Sequence, residues 1–137
     1  MRFYVDTCIW IDFYENRFSK SGSPIGKYAS ELFMKLSKKK ATILFSDLTI
    51  KEMKKLFREG EVESLLGVVS LLFVLEKAKI INSDYEESVN LALERNVPRP
   101  DALHAILARN NDAVLVTRDA HFQKLRDIVR VIKPEEF

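Results

Sequence analysis

Short runs rich in β-branched and aromatic residues alternate with helix-periodic segments along the whole chain. A strand that is followed by a helix returns parallel to its predecessor, so this alternation predicts a mainly parallel sheet with helices on both faces, a three-layer α/β/α fold. The candidate strands are Arg2–Val5, Thr42–Phe45, Lys79–Ile81, Ala113–Val116 and Ile128–Val131. Between them, Ile25, Ala29, Leu32, Phe33 and Leu36 recur at helical spacing, and further helices are expected over Thr49–Arg58, Glu61–Glu76, Asp84–Arg95 and Pro100–Asn110. Lys35, Lys38, Lys39 and Lys40 gather at the end of the first of these, where cations offset the helix dipole and face solvent. No repeat, linker or low-complexity segment interrupts the pattern, and a length of 137 residues suits one domain, 1–137.

Composition narrows the class. With 47% hydrophobic and 31% charged residues the chain can bury a core and is not a disordered tail. A net charge of +2 permits a nucleic-acid partner without demanding one. The one cysteine, Cys8, excludes an internal disulfide framework and a cysteine-based zinc site; it is expected in core packing and suits a reducing cytoplasm. Asp6 interrupts the first apolar run too early for a signal peptide. The apolar stretch Leu65–Leu75 falls short of the roughly 20 residues that span a bilayer, so it reads as a buried helix and a cytoplasmic location is expected.

Four acids stand where elements begin or end. Asp6 follows the first strand and Asp119 the fourth, so both project from carboxyl ends of strands, where open α/β sheets bind ligands. Asp101 follows Pro100 in a first helical turn, and Glu52 comes three residues after Thr49, as in a capping box. Each has a purely structural explanation: a cap for Glu52, a dipole partner for Asp101, turn residues at Asp6 and Asp119. Right-handed crossovers, however, bring all four to one edge of the sheet. Carboxylates gathered there repel one another unless a cation neutralises them or protons are taken up. Oxygen-only ligands select a hard ion such as Mg²⁺ or Mn²⁺, which points to phosphoryl chemistry, with metal-bound water attacking a phosphodiester.

Asp6-Thr7 after a hydrophobic strand, Glu52 within Ser46-Asp47-Leu48-Thr49-Ile50-Lys51-Glu52, Arg99-Pro100-Asp101-Ala102-Leu103-His104-Ala105 and Thr117-Arg118-Asp119-Ala120-His121-Phe122 together resemble the PIN domain, especially its VapC-type toxins. The resemblance spans nearly the whole chain; the last two motifs are its most specific part. It implies a metal-dependent endoribonuclease acting on RNA, usually the toxin of a toxin–antitoxin pair with a small antitoxin partner, and usually a homodimer. Carried over by position, Asp6, Glu52, Asp101 and Asp119 form the acidic metal site and the Thr117 hydroxyl orients a ligand or water. Asp6 and Asp119 are then the direct ligands, with Glu52 and Asp101 acting directly or through water.

The remaining polar residues carry lesser expectations. His104, in an apolar helix, reads as a packing histidine, whereas His121 stands close enough to Asp119 to contact phosphate. Arg99, Arg118, Lys51, Lys54 and Lys55 neighbour the acids in sequence and suit an RNA backbone, or simply solubility. Trp10, Phe13 and Tyr14 suit core or dimer packing, and Asn16–Gly26 reads as a polar loop without an assigned role. Two competing functions are a phosphoacceptor receiver domain and a non-cleaving PIN-like module that binds RNA or a protein partner; the helix bearing Leu65, Leu66, Val68, Val69, Leu72 and Phe73 suits the core first and a partner surface second. The receiver needs a lysine after a late strand, where this chain has Thr117-Arg118-Asp119. An aspartyl phosphatase wants a second aspartate where Cys8 stands.

Overall fold

A computed structural model describes residues 1–137. Five strands, β1 (Arg2–Val5), β2 (Thr42–Ser46), β3 (Val74–Ala78), β4 (Val114–Val116) and β5 (Val131–Ile132), form one sheet in the order β3-β2-β1-β4-β5. Every pairing is parallel, with Phe3 of the central strand between Ile43 and Val114. Six α-helices connect the strands: α1 (Thr7–Glu15), α2 (Ile25–Lys38), α3 (Asp47–Lys54), α4 (Glu61–Leu72), α5 (Asn82–Arg95) and α6 (Arg99–Asn110). Short 3₁₀ turns cover Ala120–Leu125 and Pro134–Glu136.

The period of two along the strands divides the core. Phe3, Val5, Ile43, Phe45 and Val116 enter one layer with α1, α2 and α4, built around Trp10, Phe33 and Leu36. Tyr4, Leu44 and Leu115 point the other way, onto α5 and α6, with Leu103, Ile106 and Phe122. Both faces are therefore buried, as an all-parallel sheet requires. The indole of Trp10 donates to the Val5 carbonyl at 3.1 Å and ties α1 to the strand it follows.

The order in which strands are added reverses beside β1, whose neighbours are β2 and β4, so the crevice at the carboxyl ends of β1 and β4 is a topological switch point. Asp6 caps α1 at that point and Thr117–Asp119 follow β4 there.

Several boundaries differ from the sequence expectation. The helix expected over Glu61–Glu76 ends at Leu72, and the strand expected at Lys79–Ile81 is Val74–Ala78. Leu75, Glu76 and Lys77 favour helix locally, but pairing with Thr42–Ser46 overrides that preference. The last strand is Val131–Ile132 rather than Ile128–Val131, because its register against Leu115 and Val116 starts only at the last residue of the expected run. α3 begins at Asp47 and stops at Lys54, not Thr49–Arg58, and its cap is reciprocal between Ser46 and Thr49, which leaves Glu52 without a capping role. The apolar helix α4 is only half core: Val62, Leu65 and Val69 are buried, whereas Val68, Leu71 and Leu72 face out.

The polar loop after α1 is closed by a backbone approach. Gly26, already in α2, donates its N–H to the Arg17 carbonyl, and a Cβ at this position would lie 2.5 Å from Asn16 backbone atoms.

Candidate metal centre

All four acids meet at the switch point, in two adjoining groups. Asp6, Glu52 and His104 bring one ligand atom each within 4.8 Å of one another, and so do Asp101, Asp119 and His121.

Asp6 is held from both sides. Its Oδ1 accepts the Thr7 N–H at 2.8 Å, and its Oδ2 accepts the Thr117 hydroxyl at 2.7 Å. The same Thr117 oxygen accepts the Asp119 N–H at 3.0 Å, and Asp119 Oδ1 accepts the His121 N–H at 2.9 Å. One buried hydroxyl thus orients the acids that follow β1 and β4. Cys8 is half-buried rather than in the core, with its thiol 3.4 Å from Asp6 Oδ2. Burial, and then the Asp6 charge, push that thiol well above its ordinary range.

Glu52 belongs to a chain of buried polar groups. Its Oε1 accepts the Thr7 hydroxyl at 2.7 Å and lies 2.6 Å from His104 Nε2. His104 Nδ1 lies 2.8 Å from the Tyr4 hydroxyl, which in turn lies 2.7 Å from the Ser46 hydroxyl. Burial alone opposes charge on either partner. For Glu52 the hydrogen bond and charge of His104 outweigh it and hold the carboxyl below its ordinary value. For His104 the surrounding Tyr4, Glu52 and Asp6 outweigh it and keep the ring protonated well above its ordinary value. An imidazolium then donates both N–H groups, to Glu52 and to Tyr4, and leaves the tyrosine to donate to Ser46.

Asp101 is compensated only in part, by the charges of His104 and His121. Burial first, and then the charges of Asp119 and Asp6, raise its carboxyl to about 6. Its buried Oδ2 receives no hydrogen bond, and His121 Nδ1, 3.0 Å away, lies out of line for one. An unpartnered carboxylate oxygen among three other acids, in an oxygen-rich donor set, fits a hard divalent cation.

His104 is the residue that the sequence expectation placed wrongly: it is buried, but in the acidic centre. It stands three residues after Asp101 on α6, and that spacing puts two residues on one helix face. Thr7, next to Asp6, is the other unanticipated member. Of the five basic residues expected near RNA, Arg118 is committed internally, bidentate to Glu135 at 2.8 and 2.6 Å and 3.6 Å from the buried Asp12. Lys54 pairs with Glu63 at 2.9 Å. Lys51, Lys55 and Arg99 line an open pocket that shares Glu52 with the acidic centre.

Comparison with known proteins places this arrangement. A search of curated protein sequences finds no match. Among solved structures, the fold is similar to VapBC2 from Rickettsia felis bound to a DNA fragment from its promoter, with 17% identity and a TM-score of 0.68 over 97% of this chain and 98% of that one. It is also similar to VapBC-1 from nontypeable Haemophilus influenzae, at 18% identity and a TM-score of 0.66 over 98% and 99% of the two chains. FitAcB from Neisseria gonorrhoeae matches at 16% identity and a TM-score of 0.62 over the full length of both. The family model for the PIN domain matches residues 3–128, nearly the whole chain, and the protein belongs to the PIN domain family.

Proposed function

We propose that the protein is a metal-dependent endoribonuclease that cleaves RNA phosphodiesters at the four-carboxylate centre, and that it is the toxin of a toxin–antitoxin pair acting in the cytoplasm. The observation that carries the catalytic reading is Asp101, a half-buried acid with an unpartnered oxygen facing two other carboxylates at a sheet switch point. Asp6, Asp101 and Asp119 would hold Mg²⁺ or Mn²⁺, with Glu52 engaged directly or through water. The chemistry that such an ion supplies is neutralisation of charge on the phosphodiester and a more acidic bound water.

The chain's own residues supply the rest. The Thr117 hydroxyl fixes the Asp6 carboxylate by donating to it and the loop of Asp119 by accepting that residue's N–H. His104 keeps Glu52 ionised, and because both donors converge on Oε1, Oε2 is free to accept a proton from an attacking water. The PIN family and the likeness to VapBC and FitAcB structures support the toxin role. An antitoxin and a second copy of the chain both require apolar surface, and Met34, Val68, Leu71 and Leu72 are exposed by 57 to 85%. No helix is long and apolar enough to cross a membrane.

The test is cleavage of a labelled oligoribonucleotide by purified protein in Mg²⁺, in Mn²⁺ and in chelator. Cutting only with metal, abolished in Asp6→Asn and in Asp101→Asn while circular dichroism is unchanged, is the expected result. Cleavage in chelator, or full activity in both variants, would falsify the mechanism.

A further inference from the structure

A pocket of about 230 Å³ opens between α3 and α6, and its wall includes Glu52. Lys51 on α3, Lys55 one turn later at its C-cap, and Arg99 at the start of α6 line it and are solvent-exposed. The nearby charges do not cancel them. Asp47 at the rim is drawn to Lys77 at 3.1 Å, Lys54 takes Glu63, and Glu52 already carries the His104 pair. Lys51, Lys55 and Arg99 therefore have no ion-pair partner, although Lys55 stands near enough to Glu52 to favour its charged form. The remaining wall is largely apolar: Leu48, Pro100, the buried Leu103, and Tyr85 from α5, a residue 45% exposed.

We infer that this pocket binds one nucleotide of the substrate strand, directly beside the phosphodiester held at the acidic centre. Its phosphate rests against Lys51, Lys55 and Arg99, and its base against Tyr85 and the Leu48–Leu103 surface. The inference rests on the ribonuclease reading for its place in the reaction, but not for the chemistry of the pocket. Sites for drug-sized ligands run from about 300 Å³ upward, so this volume suits a single nucleobase and not a stacked pair. An exposed aromatic ring with an apolar floor and a cationic rim matches how single-stranded RNA is bound, by stacking a base and neutralising its backbone. An acidic peptide would satisfy the cations but leave the Tyr85 face and the apolar floor unused.

The test is a nuclear magnetic resonance titration of the full chain in chelator with four ligands: a nucleoside monophosphate, the nucleoside, inorganic phosphate and a pentaglutamate peptide. The monophosphate is expected to shift Leu48, Tyr85 and Leu103 resonances and to bind about tenfold more tightly than phosphate, in line with one stacked base. Lys51→Ala/Lys55→Ala should lower that affinity about tenfold or more, and Tyr85→Ala should erase the advantage over phosphate. Unmoved pocket resonances, or a peptide that binds as well as the monophosphate, overturn the inference. With RNA, the double lysine variant should raise KM severalfold with little change in kcat; an unchanged KM overturns the subsite while leaving the nuclease intact. If the wild-type protein cuts no RNA yet monophosphates still occupy the pocket, the nuclease reading fails and the nucleotide site stands.

Discussion

Replacing Asp101 with Asn should make the metal-free protein more stable, and the gain should depend on pH in a defined direction. The folded-state carboxyl titrates at about 6 against an ordinary value of 3.8. A raised acid binds its proton more tightly in the folded state, so its destabilising effect is absent below the unfolded value and grows as pH rises through the folded one. The difference of about 2.2 units, at 1.36 kcal/mol each, gives about 3 kcal/mol above pH 7. Because the side chain is only 14% exposed, solvent screening removes little of this. Loss of a negative charge from the first turn of α6 subtracts about 0.3–1 kcal/mol, leaving a net gain of about 2 kcal/mol near pH 8. Between pH 8 and pH 4.5 the linkage contribution falls by about 2 kcal/mol, so the advantage should largely vanish. Urea unfolding at both pH values in chelator, followed by fluorescence of the fully buried Trp10, measures it directly. A variant no more stable than wild type at pH 8, or a gain that does not shrink on acidification, would refute the crowded-carboxylate account of this centre.

Other consequences are independent of that one. His104→Ala should cost about 3–5 kcal/mol in urea unfolding, because it leaves Glu52 charged and half-buried without its partner. The raised His104 contributes stability below its unfolded pKa near 6.5 that is lost as pH rises through the folded value, so the penalty of His104→Ala should decline at alkaline pH. Gly26→Ala should lower the melting temperature by several degrees, about 1–3 kcal/mol of overpacking against Asn16 backbone, while leaving metal binding alone. Saturating Mn²⁺ at about 100 times its Kd should add about 2.7 kcal/mol to wild-type stability, and that increment should drop more in Asp101→Asn than in Glu52→Gln when thermal melts are compared.

The alternation of β-rich and helix-periodic segments was enough to expect a parallel three-layer fold, because a strand–helix–strand pattern leaves few other solutions. It failed at β3, where Leu75, Glu76 and Lys77 carry helix propensity and only the neighbouring Thr42–Ser46 strand decides otherwise. The convergence of Asp6, Glu52, Asp101 and Asp119 was likewise legible, since residues at the carboxyl ends of neighbouring parallel strands share one rim. His104 was not, because a histidine among Ala, Leu and Ile looks like packing until the partner on α3 is known. Nor could sequence distinguish Arg118, held by Glu135, from Lys51, Lys55 and Arg99, which remain free: ion pairs between residues far apart in sequence are set by the fold.

The partners separate four chemically similar acids into two kinds. Asp6 accepts a backbone N–H and a hydroxyl, Glu52 accepts a hydroxyl and an imidazolium, and Asp119 accepts the His121 backbone N–H, so each of the three has a protein donor. Asp101 alone of the four has a buried oxygen with no donor, and burial and the neighbouring carboxylates push it toward the neutral form. The charges of His104 and His121 offset only part of the cost of forming its carboxylate, and a cation bound between Asp101, Asp119 and Asp6 would supply the rest. Such a site gains affinity from relieving repulsion as well as from direct attraction. The same asymmetry leaves Glu52, already paired with His104, the acid with least need of a cation.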